Sequence, residues 1–265
     1  MTSYKPEPEP EPLRHVEHVM GTVFSFDVRE VPDAGRPRVL AALDGAVVGL
    51  HRVDELFSTY RPDSQISRLG RGELTLSGCD PEVRDVLRLC EEAEYRSGGW
   101  FTARYAGGAP DPTGLVKGWA VERAARMLVS AGAGSVCVNG GGDVQVHGGP
   151  WRVGIADPLC RDELAAVVEA HGELAVATSG PAERGCHILD PHTGLPPADG
   201  LASVTVIGTS LVEADAWATA ACAMGAARAR PWLQRLAGAE AFVVTADGAT
   251  WHTSGFARYS AELCV

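Results

Sequence analysis

At the centre of the sequence lies Asp111-Pro-Thr-Gly-Leu-Val-Lys117-Gly118-Trp-Ala-Val-Glu122. Its first residues are typical of a turn that enters a helix, and we expect Thr113 to be the helix N-cap. Beyond Thr113, apolar residues recur at the spacing of one helix face: Leu115, Trp119, Ala120 and Ala124. The stretch therefore predicts a loop followed by a long amphipathic helix.

Lys117 falls in the first turn of this predicted helix, where a cation is unfavourable for the helix dipole. The start of a helix offers free backbone N–H groups and a positive dipole end, both of which suit a phosphate. Lys5 is the only other lysine in the chain, and all other fixed cations are arginines. A lysine at this point either holds an anion or extends into solvent, and we favour phosphate binding.

Composition excludes several classes of protein. The chain has 265 residues, 45% hydrophobic and 22% charged, as in ordinary globular proteins. A net charge of −11 argues against nucleic-acid binding. No apolar run approaches the roughly 20 residues of a membrane span, and residues 1–12 lack the apolar core of a secretory signal, so we expect a cytoplasmic protein. Seven cysteines without CxxC spacing favour reduced thiols over a disulfide framework or a zinc site.

The pattern along the chain indicates a single α+β domain over residues 14–257. Residues 1–13 carry a Pro-Glu repeat typical of a disordered tail, and residues 258–265 are expected to form a second tail. Helices are predicted at residues 38–57, 81–97 and 230–237, and strands at 23–28, 135–138, 151–156, 174–178, 202–207, 241–245 and 250–253. We expect mixed, largely antiparallel sheets flanked by helices, with a ligand cleft between sub-lobes.

The glycine-rich segment Asn139-Gly-Gly-Gly-Asp143 lacks the GxGxxG spacing of a dinucleotide fingerprint. Val144 and Val146 alternate with polar residues, so a strand follows it rather than a helix. Such a turn is either a hairpin with special backbone angles or a place where a ligand approaches the backbone closely. The segment by itself does not separate these two interpretations.

Asp215 and Thr219 are four residues apart on a predicted helix of small apolar residues that starts at Thr209 or Ser210 and stops at Gly225. Their oxygens therefore lie on one helix face. A carboxylate in a buried helix needs a partner, and no Lys or Arg is near it in sequence. Asp215 either binds a hard cation such as Mg²⁺ or accepts hydrogen bonds from backbone.

Two further segments hold candidate ligand-binding side chains. Residues 187–189 are predicted to form a strand that runs into an Asp-Pro-x-Thr-Gly turn, with His187 either structural or catalytic and Asp190 bonding its own backbone. Tyr60 precedes a Pro-Asp-Ser turn and either stacks on a flat ring or forms part of the core.

These motifs, taken in order, resemble the FAD:protein FMN transferases, the ApbE-type flavin transferases. The resembling segments are Met20-Gly21-Thr22, Tyr60-Arg-Pro-Asp-Ser64-Gln-Ile-Ser67, Asp111-Pro-Thr-Gly-Leu-Val-Lys117-Gly118, Asn139-Gly-Gly-Gly-Asp143, Ala177-Thr178-Ser179-Gly180, His187-Ile-Leu-Asp190-Pro-His-Thr193-Gly194 and Ala214-Asp215-Ala-Trp-Ala-Thr219-Ala220. They occur in the family's order over about residues 14–257, which is nearly the whole chain.

The resemblance implies an activity, a metal and a set of site residues. Enzymes of this family move the FMN half of FAD onto a Ser or Thr hydroxyl of an acceptor protein and release AMP, with Mg²⁺. By motif position, the Mg²⁺ ligands are Asp215, Thr219 and the backbone carbonyl of Gly114. Contacts to FAD fall on Met20, Tyr60, Asp111, Lys117, Ser179, His187 and Ile188, and Gly141, Gly142 and Asp143 are expected beside the same cavity.

For catalysis, we expect Mg²⁺ and Lys117 to neutralise charge on the diphosphate, and His187, with Asp143 behind it, to act as the base for the acceptor hydroxyl. FAD is expected between the helix that follows Asp111 and the helix of Asp215. The alternatives are hydrolysis of FAD to FMN and AMP at the same site, and a flavin-binding module without turnover.

Overall fold

The computed structural model describes residues 11–104, 108–160, 162–181 and 188–261. Its strands are β1 (Leu13–Val19), β2 (Thr22–Arg29), β3 (Ser135–Gly140), β4 (Asp143–His147), β5 (Trp151–Ala156), β6 (Leu164–Ala170), β7 (Leu174–Ser179), β8 (Leu201–Gly208), β9 (Glu240–Thr245), β10 (Thr250–His252) and β11 (Ser260–Ala261). The α-helices in these residues are α1 (Arg36–Phe57), α2 (Gln65–Gly70), α3 (Pro81–Ser97), α4 (Thr113–Ser130), α5 (Leu211–Met224) and α6 (Ala226–Leu233).

The strands form two sheets. The large sheet has the order β1-β2-β3-β4-β7-β8-β9-β10, and the small sheet has the order β11-β6-β5. Every strand pair in the described residues is antiparallel. The α+β fold with largely antiparallel sheets and flanking helices is therefore confirmed.

The large sheet is covered on both faces, as strand β8 shows most directly. All eight residues of β8 are buried, which is typical of a strand between two layers rather than of a strand with one face in water. Val204 and Val206 pack in the core that includes the helices, whereas Ile207 packs in a second core with the small sheet. The alternation of side chains along one strand thus supplies both cores.

Helices α4 and α5 pack so closely that their backbones are in contact at Gly118. A Cβ atom placed on Gly118 would lie 2.7 Å from the carbonyl oxygen of Leu211 and 3.0 Å from the Cβ of Asp215. Only glycine lets two helices approach this closely at that point. The contact brings the start of α4, which the sequence associated with phosphate, against the helix that carries the predicted metal ligands.

Helix α6 starts four residues earlier than predicted. It begins at Ala226, directly after Gly225, which ends α5 with a φ of 72°. Asp199 accepts the free N–H groups of its first turn: the backbone oxygen binds the N–H of Ala226 at 2.9 Å, and Oδ2 binds that of Ala227 at 2.8 Å. The prediction placed the start at Arg230 because the capping residue is distant in sequence.

Both ends of the described chain extend the sheets into stretches that were predicted as tails. Strand β1 begins at Leu13 and pairs with β2. Strand β11, Ser260–Ala261, pairs with Val167 and Val168 of β6, and Phe256 just before it is buried. The ordered sheets therefore include residues 13 and 260–261. No helix in the described ranges is long and apolar enough to cross a membrane.

Candidate functional site

Helix α4 begins near the start of the quoted stretch, so Lys117 is its fifth residue and lies just beyond the first turn, in which the sequence had predicted it. The helix starts at Thr113 itself, so the prediction that Thr113 is the N-cap is wrong. The Oδ1 of Asp111 accepts a hydrogen bond from the Thr113 N–H at 3.0 Å, and the Asp111 N–H donates to the carbonyl of Ala103 at 2.8 Å. Asp111 thus fixes the entry to the helix and satisfies one of its free N–H groups.

Lys117 and Asp143 form a buried ion pair. Lys117 Nζ lies 2.6 Å from Asp143 Oδ2, with side-chain exposures of 16% and 1%. The ammonium also donates to the carbonyl of Gly141 at 3.5 Å, and Asp143 Oδ1 accepts the N–H of Thr178 at 3.1 Å. The carboxylate therefore joins α4, the β3–β4 turn and β7, and it holds the ammonium in place.

The glycine-rich segment is the turn of a two-residue hairpin. Gly140 pairs with Asp143 across β3 and β4, and the two residues between them, Gly141 and Gly142, have φ angles of 59° and 94°. A Cβ on Gly141 would lie 2.5 Å from the hydroxyl oxygen of Thr22, so only glycine fits. The hairpin interpretation is confirmed, and the geometry is that of a type I′ turn.

Oxygen atoms from α4 and α5 converge beside this hairpin. Asp215 and Thr219 are 5% and 8% exposed, and Asp215 Oδ2 accepts the N–H of Gly118 at 3.1 Å. In an α-helix that N–H faces the carbonyl of the residue four positions earlier, Gly114. The hydroxyl of Thr219 lies 3.5 Å from a Cβ placed on Gly114 and 3.2 Å from the hydroxyl of Ser179.

These oxygens fit the donor chemistry that Mg²⁺ prefers, since they combine a carboxylate with a hydroxyl and a backbone carbonyl. The structure brings the predicted ligands Gly114, Asp215 and Thr219 into one place. The other interpretation of Asp215, a hydrogen bond to backbone, also holds, because Gly118 donates to it. The two roles use one carboxylate and are compatible.

One cavity lies at the start of α4 and a second lies beside the β3–β4 hairpin. One, of 360 Å³, is lined by Met20, Gly21, Phe57, Tyr60, Thr113 and Lys117, among others. The other, of 820 Å³, is lined by residues that include Gly141, Gly142, Thr178, Gly180 and Ser203. Both volumes are in the range of small-molecule sites. Since α4 and α5 are in backbone contact, the space for a ligand lies beside the helix start rather than between the two helices.

Met20 and Tyr60 line the smaller cavity in different ways. Met20 and Gly21 form the turn between β1 and β2, and Met20 has a φ of 55°, a conformation that non-glycine residues rarely adopt and that concentrates at functional sites. The side chain of Tyr60 is 95% exposed, so the interpretation of Tyr60 as core is wrong. Its ring is free to stack on a ligand at the cavity edge.

Ser179 and Ile188 both lie next to Cys222 of α5. Ile188 lines a small pocket with Pro181 and Cys222, and the Cys222 thiol donates to the carbonyl of Ser179 at 3.2 Å. Cys222 was not among the predicted site residues, although its position three residues after Thr219 places it near the same helix face. Burial raises the pKa of the Cys222 thiol to about 12.

The segment with the predicted catalytic histidine is only partly described. His187 lies outside the described residues. Ile188, Leu189 and Asp190 are not in a strand, so the strand predicted at 187–189 is not formed in its described part. Asp190 holds the following turn as expected: its Oδ1 accepts the N–H of His192 at 2.8 Å, and its carbonyl accepts that of Gly194 at 2.8 Å.

The sequence matches a family model and several named proteins. A family model described as ApbE family matches residues 20–110 and 106–243. A FAD:protein FMN transferase of Salmonella typhimurium is 31% identical over 160 residues, which cover 54% of this chain and 45% of that protein. A FAD:protein FMN transferase of Vibrio cholerae is 27% identical over 270 residues, which cover 79% of this chain and 80% of the relative.

The fold is also similar to that of a solved ApbE structure. The crystal structure of an ApbE protein from Thermotoga maritima superposes with a TM-score of 0.80 at 22% identity, covering 95% of this chain and 100% of the other. The chain spans about half the length of the Salmonella relative. The family model, in contrast, matches most of the chain. The matched residues include those that form the converging oxygens, the Lys117–Asp143 pair and both cavities. This chain therefore belongs to the ApbE family.

Proposed function

We propose that this chain transfers the FMN half of FAD to a Ser or Thr hydroxyl of an acceptor protein, with Mg²⁺, and releases AMP. One observation carries the proposal: a short series of contacts joins Lys117 to the oxygens of α5. Asp143 pairs with Lys117 and accepts the N–H of Thr178, and the hydroxyl of the next residue, Ser179, lies 3.2 Å from that of Thr219. The Lys117 ammonium and the oxygens near Asp215 are therefore close enough to act on the same diphosphate. The names of the relatives, FAD:protein FMN transferase, agree with this use of the site.

Each residue has a defined part in the proposed reaction. Asp215, Thr219 and the carbonyl of Gly114 would hold Mg²⁺, which when bound supplies positive charge to the phosphate oxygens. Lys117, fixed by Asp143, adds a second positive charge to the diphosphate. A buried and already oriented ammonium needs little reorganisation when charge develops, which is the condition for effective electrostatic stabilisation.

The flavin nucleotide would occupy the cavity beside α4 and the cavity beside the β3–β4 hairpin. The exposed ring of Tyr60 offers a flat surface next to Met20 and Lys117. Gly141 and Gly142 present backbone without side chains to the larger cavity, so a ligand can lie against the turn. Asp111, Ser179 and Ile188 are proposed as further contacts to FAD.

In the transfer step, the acceptor oxygen forms a bond to the phosphorus of the FMN half. The bond between that phosphorus and the bridging oxygen breaks, and AMP leaves with the electron pair. The hydroxyl proton passes to a base, for which we propose His187. Asp143 was expected to support that base, and its ion pair with Lys117 indicates that it orients the ammonium as well.

Mass spectrometry of a co-expressed acceptor tests this proposal. With FAD and Mg²⁺, we expect the acceptor to gain the mass of FMN while AMP is released, and Asp215→Asn to abolish both. Glu213→Gln, a change of a half-exposed carboxylate on the same helix, is the matched control and should behave like the wild type.

No gain in acceptor mass, with AMP still released, would replace transfer by hydrolysis of FAD. FAD binding without any AMP would favour the flavin-binding module instead.

A further inference from the structure

Glu122 ends the quoted stretch and is buried one turn beyond Gly118 on α4. It is 3% exposed, and the proposed reaction does not use it. Its Oε2 accepts a hydrogen bond from the Ser210 hydroxyl at 2.9 Å and from the Val212 N–H at 3.0 Å. Its Oε1 lies 2.6 Å from Nη2 of Arg126. Both carboxylate oxygens therefore have partners.

These contacts fasten the N-terminus of α5 to α4. Val212 is the second residue of α5, and its N–H is one of the four that a helix leaves without an internal partner. A carboxylate at this end also interacts favourably with the helix dipole. Ser210, the N-cap, uses the same hydroxyl to accept the Glu213 N–H at 3.4 Å, so Glu122 also orients the cap.

The position of Glu122 matters for the oxygens of the candidate Mg²⁺ site. Asp215 lies three residues after Val212, and Thr219 four residues after Asp215, so the three share a face of α5. On α4, Glu122 follows Gly118 by four residues and lies on the same face. The two helices are thus joined at two points one turn apart, by the Gly118–Asp215 contact and by the Glu122 cap. Two fixed points set both the position of α5 along its axis and its rotation.

We propose that Glu122 is a positioning residue that sets the spacing between the oxygen of α4, from Gly114, and the oxygens of α5, from Asp215 and Thr219. This inference rests on the proposed function for the identity of the metal. Glu122 has no contact with the site itself, since its described partners are Ser210, Val212 and Arg126. It acts by holding one helix against the other.

The test separates positioning from general stabilisation. Isothermal titration with Mg²⁺ alone measures affinity in the full chain, and unfolding in urea measures stability. Residues that orient metal ligands from outside typically change metal affinity by about 10–100-fold when removed. We expect Glu122→Ala to weaken Mg²⁺ binding at least tenfold, and Glu122→Gln, which keeps a neutral acceptor, to weaken it about threefold, since hydrogen bonds to charged groups are the stronger ones.

A core substitution far from the site provides the control. Val168→Ala, in the fully buried interior of β6, should lower stability while Mg²⁺ affinity stays within about twofold of wild type, because it creates a cavity without moving α5. In turnover assays, excess Mg²⁺ should restore AMP release to Glu122→Ala and not to Asp215→Asn, which lacks a ligand.

The possible outcomes are distinct. Loss of stability in both Glu122 variants with unchanged Mg²⁺ affinity would overturn the inference and leave Glu122 as an anchor only. If Glu122→Ala does not fold, Glu122→Gln decides, and an unchanged affinity there would likewise overturn it. If the wild-type chain does not bind Mg²⁺, the proposed function is contradicted instead. If the wild-type chain binds Mg²⁺ but releases no AMP, only the proposed reaction is contradicted, and the Mg²⁺ affinities of the Glu122 variants still test the inference.

Discussion

Replacing Gly118 by alanine tests the close backbone contact between α4 and α5. The new Cβ would lie 2.7 Å from the carbonyl oxygen of Leu211 and 3.1 Å from Oδ2 of Asp215. Ordinary contact begins at 3.4 Å, so the helices must separate by about 0.7 Å in a core that is close-packed. A backbone carbonyl cannot rotate away as a flexible side chain can.

Two opposing terms give the expected size of the effect. Alanine favours the helix over glycine by about 1 kcal/mol, whereas overpacking a core costs about 1–3 kcal/mol. We expect a net loss of up to about 2 kcal/mol, or a fall in Tm of up to roughly 8 °C for a chain of this size. Because the shift also moves Asp215 away from α4, Mg²⁺ affinity should fall at least about tenfold.

The same substitution at Gly49 is the matched control. Gly49 lies inside α1, and a Cβ there would meet no atom within 4 Å. Gly49→Ala should therefore raise the free energy of unfolding by about 0.4–1 kcal/mol and leave Mg²⁺ binding unchanged. Thermal unfolding and Mg²⁺ titration of both variants provide the measurements. If Gly118→Ala is as stable as Gly49→Ala and binds Mg²⁺ as the wild type does, α4 and α5 are not in backbone contact at Gly118.

Three further predictions concern charged and thiol groups. Lys117→Met removes the ammonium that pairs with the buried Asp143 and should lower the free energy of unfolding by about 3–5 kcal/mol. Adding Asp143→Asn to the Lys117→Met chain should recover part of this loss in urea unfolding, and no recovery would contradict a direct coupling. Asp215→Asn, which can still accept the Gly118 N–H, should fold and lose Mg²⁺-dependent AMP release, whereas retained turnover would remove Asp215 from the metal site. Burial raises the pKa of the Cys222 thiol from 9.0 to about 12, so peptide-resolved alkylation at pH 8 should modify the exposed Cys160 long before Cys222. The thiol loses its proton at a lower pH in the unfolded chain than in the folded chain. The contribution of the buried Cys222 thiol to the free energy of unfolding is therefore complete below pH 9 and is lost as the pH rises towards 12. Equal labelling rates for Cys160 and Cys222 would contradict the burial of Cys222.

Elements with local signals could be predicted from the sequence alone. Helix α3 has the predicted bounds, Pro81–Ser97, because Asp80 accepts the Glu82 N–H at its start and Gly98, with a φ of 68°, ends it. The helix with Asp215 and the strands β5 and β8 also formed where their apolar patterns predicted. Caps, glycine stops and periodicity act over a few residues, so the sequence displays them directly.

Elements that depend on distant partners could not be predicted in this way. The start of α6 depends on Asp199, which lies 27 residues before it. The burial of β8 on both faces depends on the small sheet. The residues of α6 do not indicate that Asp199 binds its first turn, and those of β8 do not indicate that the small sheet covers it.

The sequence by itself determined the chemistry of the site: a lysine near the start of a helix, an Asp and a Thr one turn apart on another, and a glycine-rich hairpin. Only the tertiary structure decided how these groups meet. It pairs Lys117 with Asp143, places Thr219 beside Gly114, and gives Gly118 and Glu122 their contacts with α5. The physical reason is that side-chain type and spacing are local properties, whereas distances between segments about 100 residues apart are set by the packing of the whole core.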